Sequence, residues 1–353
     1  MKKWKLYVIV LLCFGLVGCA NKQVGDNNGN TKLQTEGNIS EQIEDHLYVE
    51  AEFYLPTEEL STYSTELKKF DYDKIQAIFW PDANTNEITT NKFGERCYKK
   101  ATIGSENGSL IYRANDDIDY LDTLCAYAKE KSIASKKNLK FATAKKARRE
   151  AEIFISKFGI GCELGEPHIV AVNSEDLNRI QKKMMEDDDY NAMLSTKNLG
   201  NTNFDRDMEL YYLEYPFVIE DIQVFGPDDP VVQYTGDDSL LAQNMRAKMI
   251  ISNAGIEELQ LEGVLNKWTK SGKKAEIIGY EGIREALDKK FGNVILTDEY
   301  KVSNIWIEYF PLIQSDSFNQ VEVIPVWCCD FKINGKDENY TLRFHAITGE
   351  ELS

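Results

Sequence analysis

From residue 46 to residue 55 apolar and polar side chains alternate without a break. Leu47, Val49, Ala51, Phe53 and Leu55 fall on one face, and His46, Tyr48, Glu50, Glu52 and Tyr54 on the other. A period of two marks a half-buried strand, and Pro56 ends it. Residues 57–80 read as mainly helical but irregular, and 88–100 and 108–114 as short strands. Three stripes with a period near 3.6 follow: Ile118, Leu121, Cys125 and Ala128; then Ala144, Ala147, Ala151, Phe154, Ile155 and Phe158; then Leu177, Ile180 and Met184. Each predicts an amphipathic helix. Gly159 stands where a helix C-cap belongs, and Ser174, Glu175 and Asp176 make a favourable helix start. A short strand is expected at 169–172, between the second and third helices.

Beyond a polar, irregular stretch at 186–203 the pattern turns to sheet. Strands are expected over 208–218 and 245–251, the latter joined by Asn253-Ala254-Gly255 to a partner in which Leu259 and Leu261 alternate with Glu258, Gln260 and Glu262. A helix over 280–291 carries Ile283, Ala286, Leu287 and Phe291 on one side and stops at Gly292. Strands at 302–310, 321–333 and 340–347 close the chain, the last two joined across Asn334-Gly335. The expected fold class is α+β, with helices packed on antiparallel sheets in two domains, 46–204 and 205–353, and the second folding independently. Both halves contain a helix ending Lys-Phe-Gly before a strand, which is read as two well-capped helices rather than a duplication.

The N-terminus changes the picture. Lys2, Lys3 and Lys5 precede a short apolar run, too short for the roughly 20 residues a membrane-spanning helix needs, and Leu16-Val17-Gly18-Cys19 follows. This arrangement is a secretory signal, and its end resembles the cleavage site of bacterial lipoproteins. The resemblance implies that residues 1–18 are removed and that Cys19 is diacylated, for instance with palmitate. The protein would then be held by its lipid on the extracytoplasmic face of the cell membrane; two acyl chains are needed because one holds only marginally. Residues 19–45, rich in Asn, Gly, Gln and Thr, are expected to form a disordered tether.

Charge narrows the partners. The 353 residues carry a formal net charge of −17, and loss of 1–18 removes three lysines and no acid, leaving −20. Such a surface repels phosphate backbones, so no nucleic-acid partner is expected. Besides Cys13 and Cys19 the chain has Cys97, Cys125, Cys162, Cys328 and Cys329, an odd and scattered set that forms no disulfide framework of the small secreted type.

No motif supplies a catalytic, cofactor-binding or metal-binding residue. His46, His168 and His345 show no metal-ligand spacing, and His345 reads as a surface or edge histidine on the strand face of Thr341 and Arg343. Cys328 and Cys329 are neighbours in a strand and point to opposite faces. Gly159-Ile160-Gly161-Cys162-Glu163-Leu164-Gly165 follows a helix, in the wrong context for a nucleotide loop, and Ser271-Gly272-Lys273-Lys274 lacks the upstream glycine of a phosphate loop. Asp82-Ala83-Asn84-Thr85-Asn86 begins like a calcium loop but continues with Glu87 and Phe93 in the turn-glycine and bidentate-acid positions. Asp228-Asp229 and Asp237-Asp238 read as solvated loop charges.

Tyr309-Phe310-Pro311, Pro325-Val326-Trp327 and Ala346-Ile347-Thr348-Gly349-Glu350 resemble the closing strands of extracytoplasmic regulators of the YycH and YycI type, and of PepSY-like modules. Clostridial lipoproteins of unknown function look similar over more of the length. The resemblance covers roughly the last 140 residues and departs where His345 replaces the usual Asn and where a lipobox replaces a transmembrane anchor. It implies a non-enzymatic regulatory or protease-modulating role. A protein-binding module with a membrane-protein partner is expected, contacted through exposed strand edges or the aromatic strand around Tyr211, Tyr212 and Tyr215. A cell-envelope hydrolase and a solute-binding lipoprotein are the alternative classes.

Overall fold

The computed structural model describes residues 33–56, 59–133, 138–188, 190, 203–204, 207–225, 231–235, 238–242, 245–270, 276–313, 320–334, 336 and 339–352. Cys19 and the signal sequence therefore lie outside the described residues. Along the chain come strands β1 (Leu33–Glu44), β2 (Leu47–Pro56) and β3 (Tyr63–Glu66), and helix α1 (Tyr72–Phe79). Next are β4 (Thr89–Thr90), β5 (Arg96–Tyr98), β6 (Ala101–Glu106), β7 (Ser109–Arg113), α2 (Ile118–Glu130) and α3 (Ala144–Ser156). Then follow β8 (Glu163–Leu164), β9 (His168–Asn173), α4 (Ser174–Glu186), β10 (Glu209–Ile219), β11 (Ile222–Gln223), β12 (Val231–Thr235) and β13 (Asp238–Ala242). The last are β14 (Arg246–Ser252), β15 (Gly255–Glu262), β16 (Thr269–Lys270), α5 (Tyr280–Phe291), β17 (Tyr300–Ile313), β18 (Gln320–Ile333) and β19 (Asn339–His345).

The fold is α+β, built on two large, mainly antiparallel sheets. The first sheet runs β1-β2-β17-β18-β3-β16. Its long strands β17 and β18 pair from Tyr300 with Ile333 to Ile313 with Val321. The outer edge of β18 is shared: β3 takes its start, at 320–323, and β19 its end, at 326–332. β2 joins β17 in parallel at Leu47–Val49, the only parallel strand pair described. Alternation along β2 puts Leu47, Val49, Ala51 and Phe53 in the core, where α5 adds Ile283, Leu287 and Phe291. Trp327 is fully buried there, 5.1 Å from the Phe53 ring, and its indole N–H donates to the Ile278 carbonyl at 3.0 Å.

The second sheet runs β11-β10-β14-β15-β7-β6-β5-β4, with β8 and β9 also on β10. Helices cover both of its faces. Leu121, Leu124 and Cys125 of α2 and Leu177, Ile180 and Met184 of α4 bury against Val170, Val172, Leu210, Tyr212 and Ile250. On the opposite face Ala147, Ala151 and Ile155 of α3 join Tyr211, Leu213 and Met249 in the same core as the first sheet. The two sheets also meet through backbone, where the Phe225 N–H donates to the Tyr309 carbonyl at 2.7 Å.

Three expectations need correction. Strand pairing crosses the expected boundary at 204: β2 and β3 lie on β17 and β18, while β7 and β9 flank the β15-β14-β10 run. The chain ends build one sheet and the middle builds the other, because alternation tells which face of a strand is buried and not which strand lies beside it. Residues 33–44, expected within the tether, form β1, whose sparse apolar positions Ile39 and Ile43 suffice for a strand at a sheet edge. Residues 57–80 contain β3 ahead of the single helix α1. The two Lys-Phe-Gly endings differ in geometry, Gly159 having φ +58° and Gly292 φ −61°.

Candidate functional site

Two features of the second sheet gather chemistry, one closed and one open. The closed one lies under α2. On the face of the sheet that meets this helix, β10 offers Glu214, β14 Arg246 and Lys248, and β15 Glu258, Gln260 and Glu262. Lys129 of α2 bonds Glu214 at 2.8 Å, Arg246 bonds Glu262 at 2.8 Å and approaches Glu214 at 3.5 Å, and Lys248 bonds Asp122 of α2 at 2.7 Å. Burial alone would raise the Glu214 carboxyl, but Lys129 and Arg246 outweigh it and hold it down at about 2. Glu258 goes the other way. Burial, then the charge of Asp122, pushes it up to about 7, although Lys248 pulls in the opposite sense. Its Oε1 accepts from Gln260, and its Oε2 has no partner among the described residues. The charges answer one another inside the protein, so this network is an internal tie between α2 and the sheet.

The open feature lies on the opposite face, between α3 and the β14–β15 hairpin. The turn Asn253-Ala254-Gly255 is tight; the Ser252 hydroxyl accepts the Ala254 N–H at 2.9 Å, and Gly255 adopts φ +121°, a conformation few other residues take. Against this turn α3 sets Glu150, Ile153, Phe154 and Lys157, and with Ile251 and Ile256 they line a shallow open groove of about 260 Å³. Ile153 is 55% exposed. It sits two positions from both Ala151 and Ile155, which are buried, and at 100° per residue that turns it to the outer side of the helix. Lys145, Lys146 and Arg149 are exposed on that outer side. Lys146 reaches Glu150 at 3.7 Å, Lys157 lies over the Phe154 ring, and no carboxylate pairs with Lys145 or Arg149 among the described residues. In a chain of net charge −17, residues 136–149 hold seven cations and no acid. That run was legible in the sequence, as was an isoleucine standing off the helix stripe.

The residues singled out by motif are otherwise accounted for within the fold. Tyr211, Tyr212 and Tyr215 are fully buried, on a strand paired along both edges, so they present no contact surface; their hydroxyls donate to the Ala142 carbonyl, Glu214 and the Arg148 carbonyl. Cys328 and Cys329 face opposite sides, Cys329 in the core with Trp327 and Phe331, Cys328 in a smaller one with Phe310 and Val326. The Cys328 thiol donates to Glu308 at 3.0 Å, and burial followed by that carboxylate's charge raises it well above its ordinary value. Burial likewise raises Cys125, Cys162 and Cys329; of the described cysteines only Cys97 is partly exposed. His345 is half-buried, its Nδ1 accepts the Ile347 N–H at 3.1 Å, and burial lowers its pKa despite Glu350 and Glu322.

Gly161 packs so closely on the 265–266 backbone that a Cβ would stand 2.2 Å from the Asn266 carbonyl oxygen, which gives the glycine-rich run a packing role. Asn84 caps a 3₁₀ turn at Thr85–Glu87 by accepting the Asn86 N–H. Among the described residues no three His, Cys, Asp or Glu side chains are grouped to hold a metal ion, and no helix is long and apolar enough to cross a membrane. Residues 228, 229, 237 and 271–274 lie outside the described residues.

Neither a protein-family model nor a curated protein matches the chain, so no enzyme family or catalytic relative is identified. Among solved structures, an uncharacterized protein from Eubacterium rectale ATCC 33656 is similar in fold, with a TM-score of 0.51 and 15% sequence identity over 90% of this chain and 93% of that one.

Proposed function

We propose that this is a lipid-anchored extracytoplasmic protein that works as a non-enzymatic protein-binding or regulatory module, with Cys19 as the anchor and a membrane protein as partner. The anchor rests on the sequence Leu16-Val17-Gly18-Cys19 behind a basic and then apolar start. The observation that carries the binding role is the open groove beside α3, where an exposed isoleucine stands next to Arg149, which pairs with no carboxylate among the described residues. Exposed apolar surface next to unanswered charge is what a partner covers, whereas the charges under α2 are answered within the chain. Burial and raised pKa values argue against Cys328 or Cys329 as a nucleophile, which needs an accessible, electropositive setting.

The anchor is tested by metabolic labelling with an alkyne fatty acid and by membrane fractionation. The wild type should take up label and sediment with membranes, and Cys19→Ala should lose the label and either accumulate as precursor or be released. Equal labelling of the Ala variant would overturn the anchor. The binding role is tested by photocrosslinking in intact cells from positions spread over the surface. A discrete crosslinked membrane protein supports it, and turnover of cell-wall or peptide substrate abolished by His345→Ala, with no crosslink from any position, would replace it with an enzyme.

A further inference from the structure

The groove carries enough chemistry to name its occupant. We propose that the cleft between α3 and the β14–β15 hairpin docks an acidic, amphipathic peptide segment of a partner protein, with an apolar side chain seated on Phe154, Ile251 and Ile256 and flanking carboxylates meeting Arg149 and Lys157. This rests on the binding-module reading above and specifies the chemistry of its partner.

Four observations converge. The floor is apolar, and its rim carries one cation, Lys157, and one acid, Glu150; Arg149 stands beside Ile153, one turn back on the outer side of the helix, with Lys145 a further turn away. From 144 to 157 five cations stand against two carboxylates, and one of those, Glu152, is held by Arg148. The remaining acid on the rim, Glu150, reaches only Lys146. The chain outside 144–157 nets −20, so on this helix the field favours a negatively charged partner and steers it on encounter.

Size, shape and charge favour this occupant over others. At about 260 Å³ the groove is shallow and at the small end of sites that enclose ligands, a size suited to one or two side chains of a larger partner. A membrane-binding helix needs a continuous protruding apolar face. The apolar face of α3, Ala147, Ala151 and Ile155, is spent against the second sheet, and Phe154 and Ile251 are recessed, leaving Ile153 alone in projection. A second copy of the same chain would bring a like charge of −17 or more negative, which opposes self-association.

The test uses the processed full-length protein in detergent and a fluorescent ten-residue peptide of leucines spaced among aspartates and glutamates, read by anisotropy. Saturable binding is expected, weakening severalfold between about 50 and 300 mM salt, and a lysine-for-acid peptide should not bind. Ile153→Asp should weaken binding by about tenfold, and Arg149→Glu by about three- to tenfold with a flatter salt response. Both side chains are exposed, so unchanged melting of the variants certifies the fold. Peptide binding that ignores both substitutions, or no saturable binding at all, overturns the proposal. So does recruitment to phosphatidylglycerol vesicles that Ile153→Asp abolishes while the peptide fails to bind, or a dimer in sedimentation velocity that the same change dissolves. Failure of the peptide alongside a partner crosslinked from another face sinks the groove and keeps the binding module. Peptide binding with a Cys19 that takes no lipid sinks the anchor and keeps the groove.

Discussion

Set side by side, the inner face of the first sheet and the α2 face of the second solve one problem by different physics. Under α5 the buried contact is apolar and aromatic, Phe53, Trp327, Phe331 and Phe344 against Ile283, Leu287 and Phe291, with the Trp327 N–H given a carbonyl; the helix's polar contacts, Tyr280 with Glu41 and Lys290 with Glu351, lie at its two ends. Under α2 the apolar contact with Leu210, Tyr212 and Ile250 gives way along the helix to Glu214, Arg246, Lys248 and Glu258. Hydrophobic contact is non-directional, so α5 is held by area and fit. Ion pairs between buried groups demand particular partners, so α2 is held in one place along its strands at a cost in desolvation. The difference predicts stability from the first face and positional specificity from the second.

The sharpest way to break that contrast is Trp327→Ala. Removing a fully buried indole should cost about 3–5 kcal/mol, measured by denaturant unfolding. A cost under about 1 kcal/mol would mean that the α5 layer is not the stabilising one. On the other face, Lys248→Ala should cost about 3 kcal/mol, since Asp122 would be left with its charge unanswered. Replacing both, Lys248→Met with Asp122→Leu, should recover most of the loss, because an ion pair exchanged for apolar groups of similar size is often neutral. If the double variant is no better than the single, the network contributes net stability and the comparison narrows.

How much of this was legible follows the same division. The α5 layer was readable because Leu47 to Phe53 alternate and Ile283, Leu287 and Phe291 share a helix stripe, so the sequence itself names the inward positions. The lateral order of strands was not. Nothing in Leu47-Tyr48-Val49 announces that it pairs in parallel with Tyr300–Val302, some 250 residues away. β3 escaped because Thr65 occupies a buried position that an apolar residue normally marks. The tyrosines of β10 look like a contact surface in sequence, and burial is revealed only by where their hydroxyls find carbonyls and a carboxylate. The candidate groove was half legible: the basic run and the off-stripe Ile153 are sequence facts, but the hairpin that completes the cleft comes from residues about 100 positions further on.

Glu258 sharpens the comparison through pH. Its folded pKa, about 7, is above its value in the unfolded chain, so its contribution to stability is complete below about pH 4.5 and is lost as pH rises through 7. Glu214 runs oppositely: held down at about 2, it stabilises above about pH 4.5 and that contribution is lost as pH falls toward 2. Unfolding free energy of the wild type should therefore fall by about 1–3 kcal/mol between pH 5 and pH 8, and Glu258→Gln should flatten that slope while leaving the acid limb below pH 4.5 intact. A neutral slope unchanged by Glu258→Gln would show that the carboxyl titrates normally and that the α2 face tolerates its charge.

The smallest expected effect tests whether the two faces are separable. Helix α4 packs on α2 and β9 and starts with a reciprocal cap: Asn173 Oδ1 accepts the Asp176 N–H at 2.9 Å, and Asp176 accepts the Asn173 N–H at 3.1 Å. The amide N–H groups of a first helical turn have no partners within the helix, so each bond answers a donor that would otherwise depend on water. Asn173→Ala removes one bond and loosens the other, at a cost of about 1 kcal/mol. Because the cap lies outside the shared core, the loss should be local. Amide hydrogen exchange should quicken by about fivefold through the first turns of α4, with no change in β17 or β18. Uniform acceleration across both sheets would mean that the α2–α4 layer and the α5 layer open as one cooperative unit, and that the ionic and apolar faces are two halves of a single structure.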